Sequence, residues 1–355
     1  MNISILLFLL KILISNRFYI HIMEKLRVGL IGAGGFGYLH LSGYKKNKNC
    51  EIVALASRTE QHAKQAAEKF GIPKYYYGDD WKKMLEEERL DIVSICSPNY
   101  LHAPMTIEAI NNDVNVLCEK PICIAEKELD EIEKLLEKKS LIYFSSFSKR
   151  YSELYIRLKE IIDNEALGTI NQVRFFFSHH GPYTSWRPLS EQKWFFDTKM
   201  AGGGVLIDLG VHCIDILRYL IGEFRAVEGY SQNTSCKNIK NEDNCNVLVR
   251  FENDALAVIS VSWCSEPMEI LEVYGTKGHV IIDINSKKPF SFAPKKLKKN
   301  RFIKMALEQE STFTNTQHLL IDHFIDCVLE GKQEHPDFID GKWAVKFVLK
   351  AYSLK

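Results

Sequence analysis

A glycine-rich turn placed directly after a short apolar strand constrains this chain more than any other feature of its sequence. Residues 26–37 read LRVGLIGAGGFG, and Gly32, Gly34 and Gly37 fall in the spacing G-x-G-x-x-G. Gly32 permits a tight turn, Gly34 lets a pyrophosphate approach the backbone, and Gly37 allows close packing of helix on strand. A helix predicted over residues 36–46 would present free N–H groups to the phosphates. The stretch therefore predicts a strand, a turn and a helix that bind a dinucleotide.

The residues that follow the second predicted strand, 51–56, indicate which dinucleotide binds. A site for NAD usually carries an acid here that holds the ribose 2′-hydroxyl, whereas this chain has Ser57, Arg58 and Thr59. A guanidinium makes paired charge-assisted hydrogen bonds to phosphate oxygens, and the two hydroxyls would assist it. We therefore expect NADP to be preferred, with NAD possible. The alternative is that Arg58 is a solvated loop residue.

Length, charge and cysteine usage limit the class of protein. A chain of 355 residues with 46% hydrophobic residues predicts two domains with buried cores. The net charge of +1 gives no electrostatic reason to expect nucleic acid or a membrane surface as a partner. The nine cysteines are scattered, without a C-x-x-C pair or a zinc-like cluster with histidine. This usage indicates a reduced, cytoplasmic protein and no metal site.

Residues 1–22 do not match the rest of the chain. Their apolar run is interrupted by Lys11 and is short for a membrane span of about 20 residues. A signal peptide also fits poorly, because no basic segment precedes the run and no small-residue cleavage site follows it. We interpret these residues as an N-terminal extension outside the fold, with a weak membrane anchor as the alternative.

The order of predicted strands and helices indicates two domains and an α/β fold class. Strands and helices alternate over residues 23–148, which predicts a doubly wound parallel sheet of Rossmann type that binds the dinucleotide. Ligands collect at the carboxyl edge of such a sheet, where we expect the turns 97–102 and 119–121. Residues 149–355 contain runs of strands joined by short turns, which predict an α+β domain with a largely antiparallel sheet for substrate binding and oligomerisation. The basic run 295–304 is expected to be a solvated loop.

Two groups of residues could carry chemistry. Lys120 follows a strand at the ligand edge, where a lysine would lie beside the nicotinamide. Asp208 and His212 stand four residues apart on a helix predicted over 206–219, so they share a face, with Asp215 on the same side. An acid and an imidazole placed in this way can hold a sugar hydroxyl and exchange its proton near neutral pH. The alternatives are a surface lysine and a histidine that belongs to the core.

Four motifs, in order and properly spaced, resemble the Gfo/Idh/MocA oxidoreductases. They are GAGGFG at 32–37, SPNYLH at 97–102, EKP at 119–121 and GGGVLIDLGVHCID at 202–215. The resemblance implies an NAD(P)-dependent enzyme that transfers a hydride between nicotinamide and a secondary alcohol or carbonyl of a sugar, polyol or sugar derivative. It also implies a homodimer or homotetramer formed through the C-terminal sheet. The alternatives are a non-catalytic NADP-sensing regulatory protein and an NAD-dependent glycosidase-like enzyme on the same fold.

By the same resemblance, Lys120 is the catalytic lysine, Asp208 the substrate-binding acid and His212 the proton-transferring histidine. Together with the residues after the second strand, the expected cofactor-binding set is Gly32, Gly34, Gly35, Phe36, Gly37, Ser57, Arg58, Thr59, Ser97, Asn99, His102, Glu119, Lys120, Trp186 and Arg187. Substrate specificity is expected from the second domain, where the candidates are Arg150, His179, His180, Tyr183 and Trp194. Arg150 could instead be only an ion-pair partner, and at most one of the two adjacent histidines should face the site.

Overall fold

The computed structural model describes residues 25–184, 193–234, 240–295, 303–305 and 312–353. Its first sheet has six parallel strands in the order β3-β2-β1-β4-β5-β6. The strands are β1 Leu26–Ile31, β2 Cys50–Ser57, β3 Lys74–Tyr77, β4 Ile92–Ile95, β5 Asn115–Cys118 and β6 Tyr143–Ser145. The connecting helices are Gly35–Lys46, Glu60–Phe70, Trp81–Glu87, His102–Asn111 and Glu126–Leu136. The predicted doubly wound sheet is confirmed, although the sequence pattern missed β3, whose residues are mostly exposed.

The order of the strands places a crevice at the carboxyl edge of this sheet. The chain moves outward in one direction from β1 to β3 and in the other from β4 to β6, so the order reverses between β1 and β4. Ligands bind at such a reversal because the following loops diverge to opposite faces of the sheet. The turns after β1 and β4 still touch below the crevice, where the Cys96 N–H donates to the Ile31 carbonyl at 2.7 Å.

The second sheet has eight strands in the order β14-β13-β12-β11-β7-β10-β9-β8. They are β7 Ile170–Ser178, β8 Phe224–Gln232, β9 Asn244–Phe251, β10 Leu256–Ser262, β11 Met268–Gly275, β12 Gly278–Asp283, β13 Phe290–Pro294 and β14 Ile303–Met305. Neighbours are antiparallel except for β7 and β10, which agrees with the predicted largely antiparallel sheet. The pattern missed β13 and β14, and β14 shows that the end of the basic run 295–304 is a strand rather than a loop.

The helices Glu153–Asp163 and Val211–Ile221 cover the inner face of the second sheet, and a π-helical turn at Leu206–Gly210 precedes the second of them. The short helices Gly181–Thr184 and Thr198–Ala201 come before this turn in the chain. Along β9 the side chains alternate between buried and exposed, as expected for a sheet with one covered face. The stretch Thr198–Ile221 is apolar and long enough to cross a membrane, but 89% of its apolar 18-residue window is buried inside the protein. Its composition is that of a core helix.

The last two helices return to the first domain. In Phe313–Glu330, Leu320 and Phe324 pack in one apolar cluster with Val28 and Leu117 of the first sheet. The final helix, Phe338–Ser353, contacts both cores. Its Phe338 ring lies 5.6 Å from the ring of Tyr143, and its Phe347 ring lies 4.8 Å from that of Phe224. The two sheets are therefore fastened to each other by the end of the chain.

Candidate active site

A cavity of about 400 Å³ opens at the crevice between the carboxyl ends of β1 and β4. Its walls are the glycine-rich turn, the ends of β2, β4 and β5, and a few residues of the second domain. The predicted site residues on these walls are Gly32, Gly34, Gly35, Phe36, Ser57, Arg58, Ser97, Asn99, His102, Glu119, Lys120, Asp208 and Trp194. The structure therefore brings most of the predicted residues to one place. Trp186 and Arg187 lie outside the described residues, as do residues 1–22.

Two of the three motif glycines are required by packing. Gly32 has a φ of +102°, and a Cβ on it would lie 2.5 Å from the Cys96 carbonyl. A Cβ on Gly37 would lie 2.0 Å from the Gly32 carbonyl oxygen, so the helix could not sit against the strand. Gly37 is absent from the cavity walls. Its missing side chain is needed inside the turn, which is the packing role that the G-x-G-x-x-G spacing predicts.

The next part of the turn is open. A Cβ on Gly34 or Gly35 would have no neighbouring heavy atom within 4 Å. The helix Gly35–Lys46 begins here without an acidic residue in its first turn and without a side-chain cap. Its first N–H groups are therefore available to an anion, which the helix dipole also favours. These features fit the pyrophosphate of a dinucleotide.

The three residues after β2 have different roles. Ser57 and Arg58 lie on the cavity wall, and His62 and Asp79 join them there. Thr59 does not lie on it, because its hydroxyl accepts the His62 backbone N–H at 3.3 Å and caps the helix Glu60–Phe70. Thr59 therefore caps this helix, and its expected role beside the ribose stays a prediction. No motif marked His62 or Asp79 in the sequence.

Several predicted polar residues are already engaged within the protein. The Asn99 amide donates to the carbonyl of Ala201 at 2.8 Å. The two ring nitrogens of His102 lie 2.6 Å from the Pro121 carbonyl and 2.7 Å from the Ser97 carbonyl, so this ring ties two turns of the cavity together. The Ser97 hydroxyl, in contrast, is buried and has no hydrogen-bond partner among the described residues. Such an orphaned group at the cavity fits a site that a cofactor completes.

Lys120 and Asp208 form an ion pair where the two domains meet. The Lys120 ammonium lies 3.0 Å from Asp208 Oδ1 and 3.0 Å from the Asp208 carbonyl. The other carboxylate oxygen accepts the indole N–H of Trp263 at 3.0 Å. The Lys120 and Asp208 side chains are only 10% and 7% exposed, so both are held in place with little water around them. Trp263 was missed, since it follows β10 far from any motif.

His212 lies beside this ion pair and packs against aromatic rings. The rings of Phe147 and Phe177 each lie 6.4 Å from its imidazole, edge to face. Nδ1 is buried and has no partner among the described residues. Burial lowers the pKa of His212 well below its ordinary value, and the positive charges of Lys120 and Lys149 lower that pKa further. The imidazole is therefore neutral at physiological pH and able to accept a proton.

The two adjacent histidines point in different directions. His179 lies near Asp208, and burial lowers the pKa of its imidazole. Its Nδ1 accepts the Gly181 N–H at 2.7 Å. His180 is 40% exposed and lies 3.5 Å from Glu266. Only His179 therefore belongs to the surroundings of the site.

Arg150 is an ion-pair partner rather than a pocket residue. Its Nη2 lies 2.6 Å from Asp215 and 2.9 Å from Asp340, and all three side chains are buried. Asp215 was expected on the same side as Asp208, which is corrected here. The π-helical turn Leu206–Gly210 is wider than an α-helical turn. It therefore changes which residues downstream share a face with Asp208.

Two further clusters contain residue types that bind metals. One is formed by His323, Cys327 and Glu334, the other by His335, Asp337 and Asp340. Neither contributes to the walls of the cavity. In each cluster the histidine already meets a carboxylate, at 3.0 Å and 2.8 Å respectively. Ordinary hydrogen bonding accounts for both arrangements.

The chain is similar to known proteins over most of its length. Residues 26–147 match the model of an oxidoreductase family with an NAD-binding Rossmann fold, and residues 155–281 match the Gfo/Idh/MocA C-terminal domain. Myo-inositol 2-dehydrogenase of Thermotoga maritima is 26% identical over 73% of this chain and 75% of its own length. Levoglucosan dehydrogenase of Pseudarthrobacter phenanthrenivorans is 31% identical over 58% of this chain and 53% of its own length.

Solved structures agree with this assignment at the level of the fold. A levoglucosan dehydrogenase in complex with NADH superposes with a TM-score of 0.83 and 22% identity, covering 93% of this chain and 97% of that one. The matching family models cover both domains, and the four motifs lie where the structure forms its cavity. The chain therefore belongs to the Gfo/Idh/MocA family of oxidoreductases, with an NAD-binding Rossmann domain.

Proposed function

We propose that the protein is an NADP-preferring dehydrogenase that acts on a secondary alcohol of an uncharged sugar or polyol. The observation that carries the proposal is the ion pair of Lys120 and Asp208 on the cavity wall, with the neutral His212 close to Lys120. An ammonium, a carboxylate and a neighbouring proton acceptor are the groups that alcohol oxidation needs. A protein that only sensed the nucleotide would have no use for all three.

The bound nicotinamide supplies the hydride chemistry, and the protein's own residues handle the alcohol. His212 accepts the hydroxyl proton as the carbonyl forms and returns it in the reverse direction. Lys120 donates a hydrogen bond to the same oxygen and stabilises the negative charge that develops on it. Asp208 accepts a hydrogen bond from a neighbouring hydroxyl, and Trp263 fixes the carboxylate in that orientation.

The charges around the site favour an uncharged substrate. Lys120 is paired with Asp208, and Lys149 is paired with Glu269 at 2.6 Å. Within the described part of the site, each of these ammonium groups therefore has its own carboxylate, which leaves no excess positive charge for a phosphate. The relatives named for myo-inositol and levoglucosan are named for uncharged polyhydroxylated compounds, which supports the same class here.

The reaction is tested with Lys120→Ala. We expect turnover of a neutral polyol such as myo-inositol or levoglucosan to fall by about 10²–10⁴-fold, as is typical when a positioned acid–base or charge-stabilising group is lost. NADPH binding should stay within about twofold, since the glycine-rich turn and Arg58 are unchanged. Turnover equal to that of the unaltered enzyme would exclude Lys120 from the reaction.

The preference for NADP rests on Arg58, which lies on the cavity wall where the adenosine ribose is expected. Hydrogen bonds to a charged group are worth about 1.5–3 kcal/mol, so Arg58→Ala should weaken NADPH binding by roughly 10–150-fold and leave NADH binding almost unchanged. Fluorescence titration with both nucleotides at one salt concentration measures this. Tighter binding of NADH by the unaltered protein would mean that Arg58 is a solvated residue and that NAD is the cofactor.

The proposal also covers the oligomeric state of the protein. Tyr230, Leu248 and Leu256 are 85%, 55% and 53% exposed on the second sheet, and these exposed apolar side chains support a homodimer or homotetramer formed through its open face. Sedimentation of Leu248→Glu against the unaltered protein tests this interface.

The cysteines that the structure describes are all free thiols, which supports a reducing compartment such as the cytoplasm.

A further inference from the structure

A chain of buried hydrogen bonds leads from the interior of the first domain to Glu119. The Tyr44 hydroxyl lies 2.7 Å from the Ser94 hydroxyl, which in turn lies 3.1 Å from His40 Nδ1. His40 Nε2 lies 2.9 Å from Glu119 Oε1. His40 and Ser94 are fully buried, and Glu119 is 7% exposed. Polar groups this deep in a domain require partners, and here they are arranged in one continuous line.

The acceptor at the end of the line fixes the direction of every hydrogen bond. A carboxylate only accepts, so His40 Nε2 carries the proton that is donated to Glu119. His40 Nδ1 must then accept from the Ser94 hydroxyl, which accepts from Tyr44. Burial raises the pKa of Tyr44 well above its ordinary value, so the phenol keeps its proton and remains a donor. All donors therefore point towards Glu119.

Glu119 is also held from its other side. Ser146 donates its hydroxyl to Glu119 Oε1 at 2.8 Å, and its oxygen accepts from the Gln317 amide nitrogen at 2.9 Å. Glu119 Oε2 accepts the backbone N–H of Lys120 at 3.3 Å. The Glu119 carboxylate therefore holds the backbone N–H of Lys120, the residue whose side chain extends into the site.

Burial and charge act on Glu119 in opposite directions. Burial raises the pKa of this carboxyl, but the hydrogen bond from His40 and the positive charge of Lys120 bring its pKa below the ordinary value. The other titratable groups that face it are His102 and the thiols of Cys96 and Cys118. Burial raises the pKa of both thiols, that of Cys118 to about 12, so neither carries charge at neutral pH. His40 is therefore the main partner that keeps Glu119 ionised.

We propose that His40 is a positioning residue for the reaction, which acts through Glu119 to hold the backbone of Lys120 and aim its ammonium at the substrate oxygen. The proposal rests on the proposed function for the role of Lys120. Without a donor at His40, Glu119 would take up a proton to avoid an unpaired buried charge. A protonated Glu119 binds the Lys120 N–H less strongly, and the lysine loses its fixed direction. Activity would then require a higher pH, at which Glu119 ionises again.

The test compares His40→Leu, which removes the donor, with His40→Gln, whose amide can still donate to Glu119. In His40→Leu we expect kcat near neutral pH to fall by about 10–100-fold, with the KM for myo-inositol or levoglucosan changed less than about threefold. The acid limb of the kcat profile should move to higher pH, and raising the pH should restore activity. His40→Gln should recover most of the lost kcat and keep the original limb. A fall in kcat with an unmoved acid limb would overturn the proposal and leave His40 a structural residue.

A second readout needs no substrate. The infrared band of a protonated carboxyl should appear in His40→Leu at a pH where the unaltered protein lacks it, and it should vanish when Glu119→Gln is added. Ser146→Ala removes a smaller donor, so it should move the titration of Glu119 in the same direction by less, which provides a test if His40→Leu does not fold. Absence of the band in both variants would contradict the proposal. Failure of the proposed function itself gives a different result, namely full turnover in Lys120→Ala.

Discussion

The buried ion pair of Arg150 offers a prediction about stability that requires no substrate. Arg150 contacts Asp215 through Nε and Nη2 at 2.6–3.1 Å, and it also reaches Asp340. Asp340 has a second cation in Arg218. Arg150→Met keeps much of the side-chain volume, so its main effect is to leave the carboxylate of Asp215, which is 2% exposed, without its counter-ion.

The magnitude follows from the cost of an unpaired buried charge. Breaking a buried ion pair by removing one partner costs about 3–5 kcal/mol, which is the loss of unfolding free energy expected at pH 7.5. Burial raises the pKa of Asp215 to about 6 even beside Arg150, so the folded protein binds a proton there that the unfolded chain does not bind until near pH 4. In Arg150→Met this pKa rises further. At pH 5.5 Asp215 is mostly protonated in both proteins, and the loss should be smaller by about 1–2 kcal/mol.

The assay is urea denaturation of both proteins at pH 7.5 and 5.5, with NADPH titration as a check on the site. The matched control is Arg174→Met, because Arg174 is 65% exposed and lies 3.8 Å from Glu272. A surface pair of this kind contributes about 0–1 kcal/mol. A loss below about 1 kcal/mol for Arg150→Met, or an equal loss at both pH values, would refute the reasoning. Loss of NADPH binding in the folded variant would mean that Arg150 is a pocket residue.

Two further predictions concern Thr59 and His212. Thr59→Ala should lower the unfolding free energy by about 1 kcal/mol, the usual value of a helix cap, while NADPH titration gives an unchanged affinity; a large loss of affinity would restore Thr59 to the ribose site. Because burial lowers the pKa of His212, the unfolded chain binds a proton at this residue below about pH 6.5 while the folded protein does not. Stability should therefore fall as the pH drops through this range, and melting temperatures at pH 5.5 and 7.5 should differ less in His212→Gln than in the unaltered protein.

Much of the first domain could be predicted because its signals are local. The strand Leu26–Ile31 carries the apolar residues Val28, Leu30 and Ile31, and a glycine whose φ is positive follows it directly. Both signals lie in neighbouring residues. The rule that ligands gather at the carboxyl ends of parallel strands then placed Ser97, Glu119 and Lys120 at one edge. The short strand Lys74–Tyr77 was missed, because its mostly exposed residues show neither an apolar run nor alternation.

The rest of the site could not be predicted, because its contacts join distant parts of the chain. His40 and Gln317 are separated by 277 positions, and no periodicity of either helix indicates that they meet. Trp263 gives no sign of its bond to Asp208 for the same reason. Ser57 and Thr59 are chemically alike and stand two residues apart, yet the start of a helix takes one hydroxyl and leaves the other on the cavity wall. The sequence shows which side chains can carry chemistry. Only the packed structure shows which of them lie at the cavity and which stabilise the fold.

The return of the helix Phe313–Glu330 to the first sheet has a consequence for synthesis on the ribosome. All strands of that sheet have been made by Ser145, but the face that carries Val28 and Leu117 is covered only when Leu320 and Phe324 emerge. At roughly 5–20 residues per second, this apolar face waits for on the order of ten to thirty seconds while the second domain is translated. This face of a nascent chain is therefore exposed to chaperones during about half of the synthesis. Shortening the chain at its C-terminal end would damage the domain that was made first.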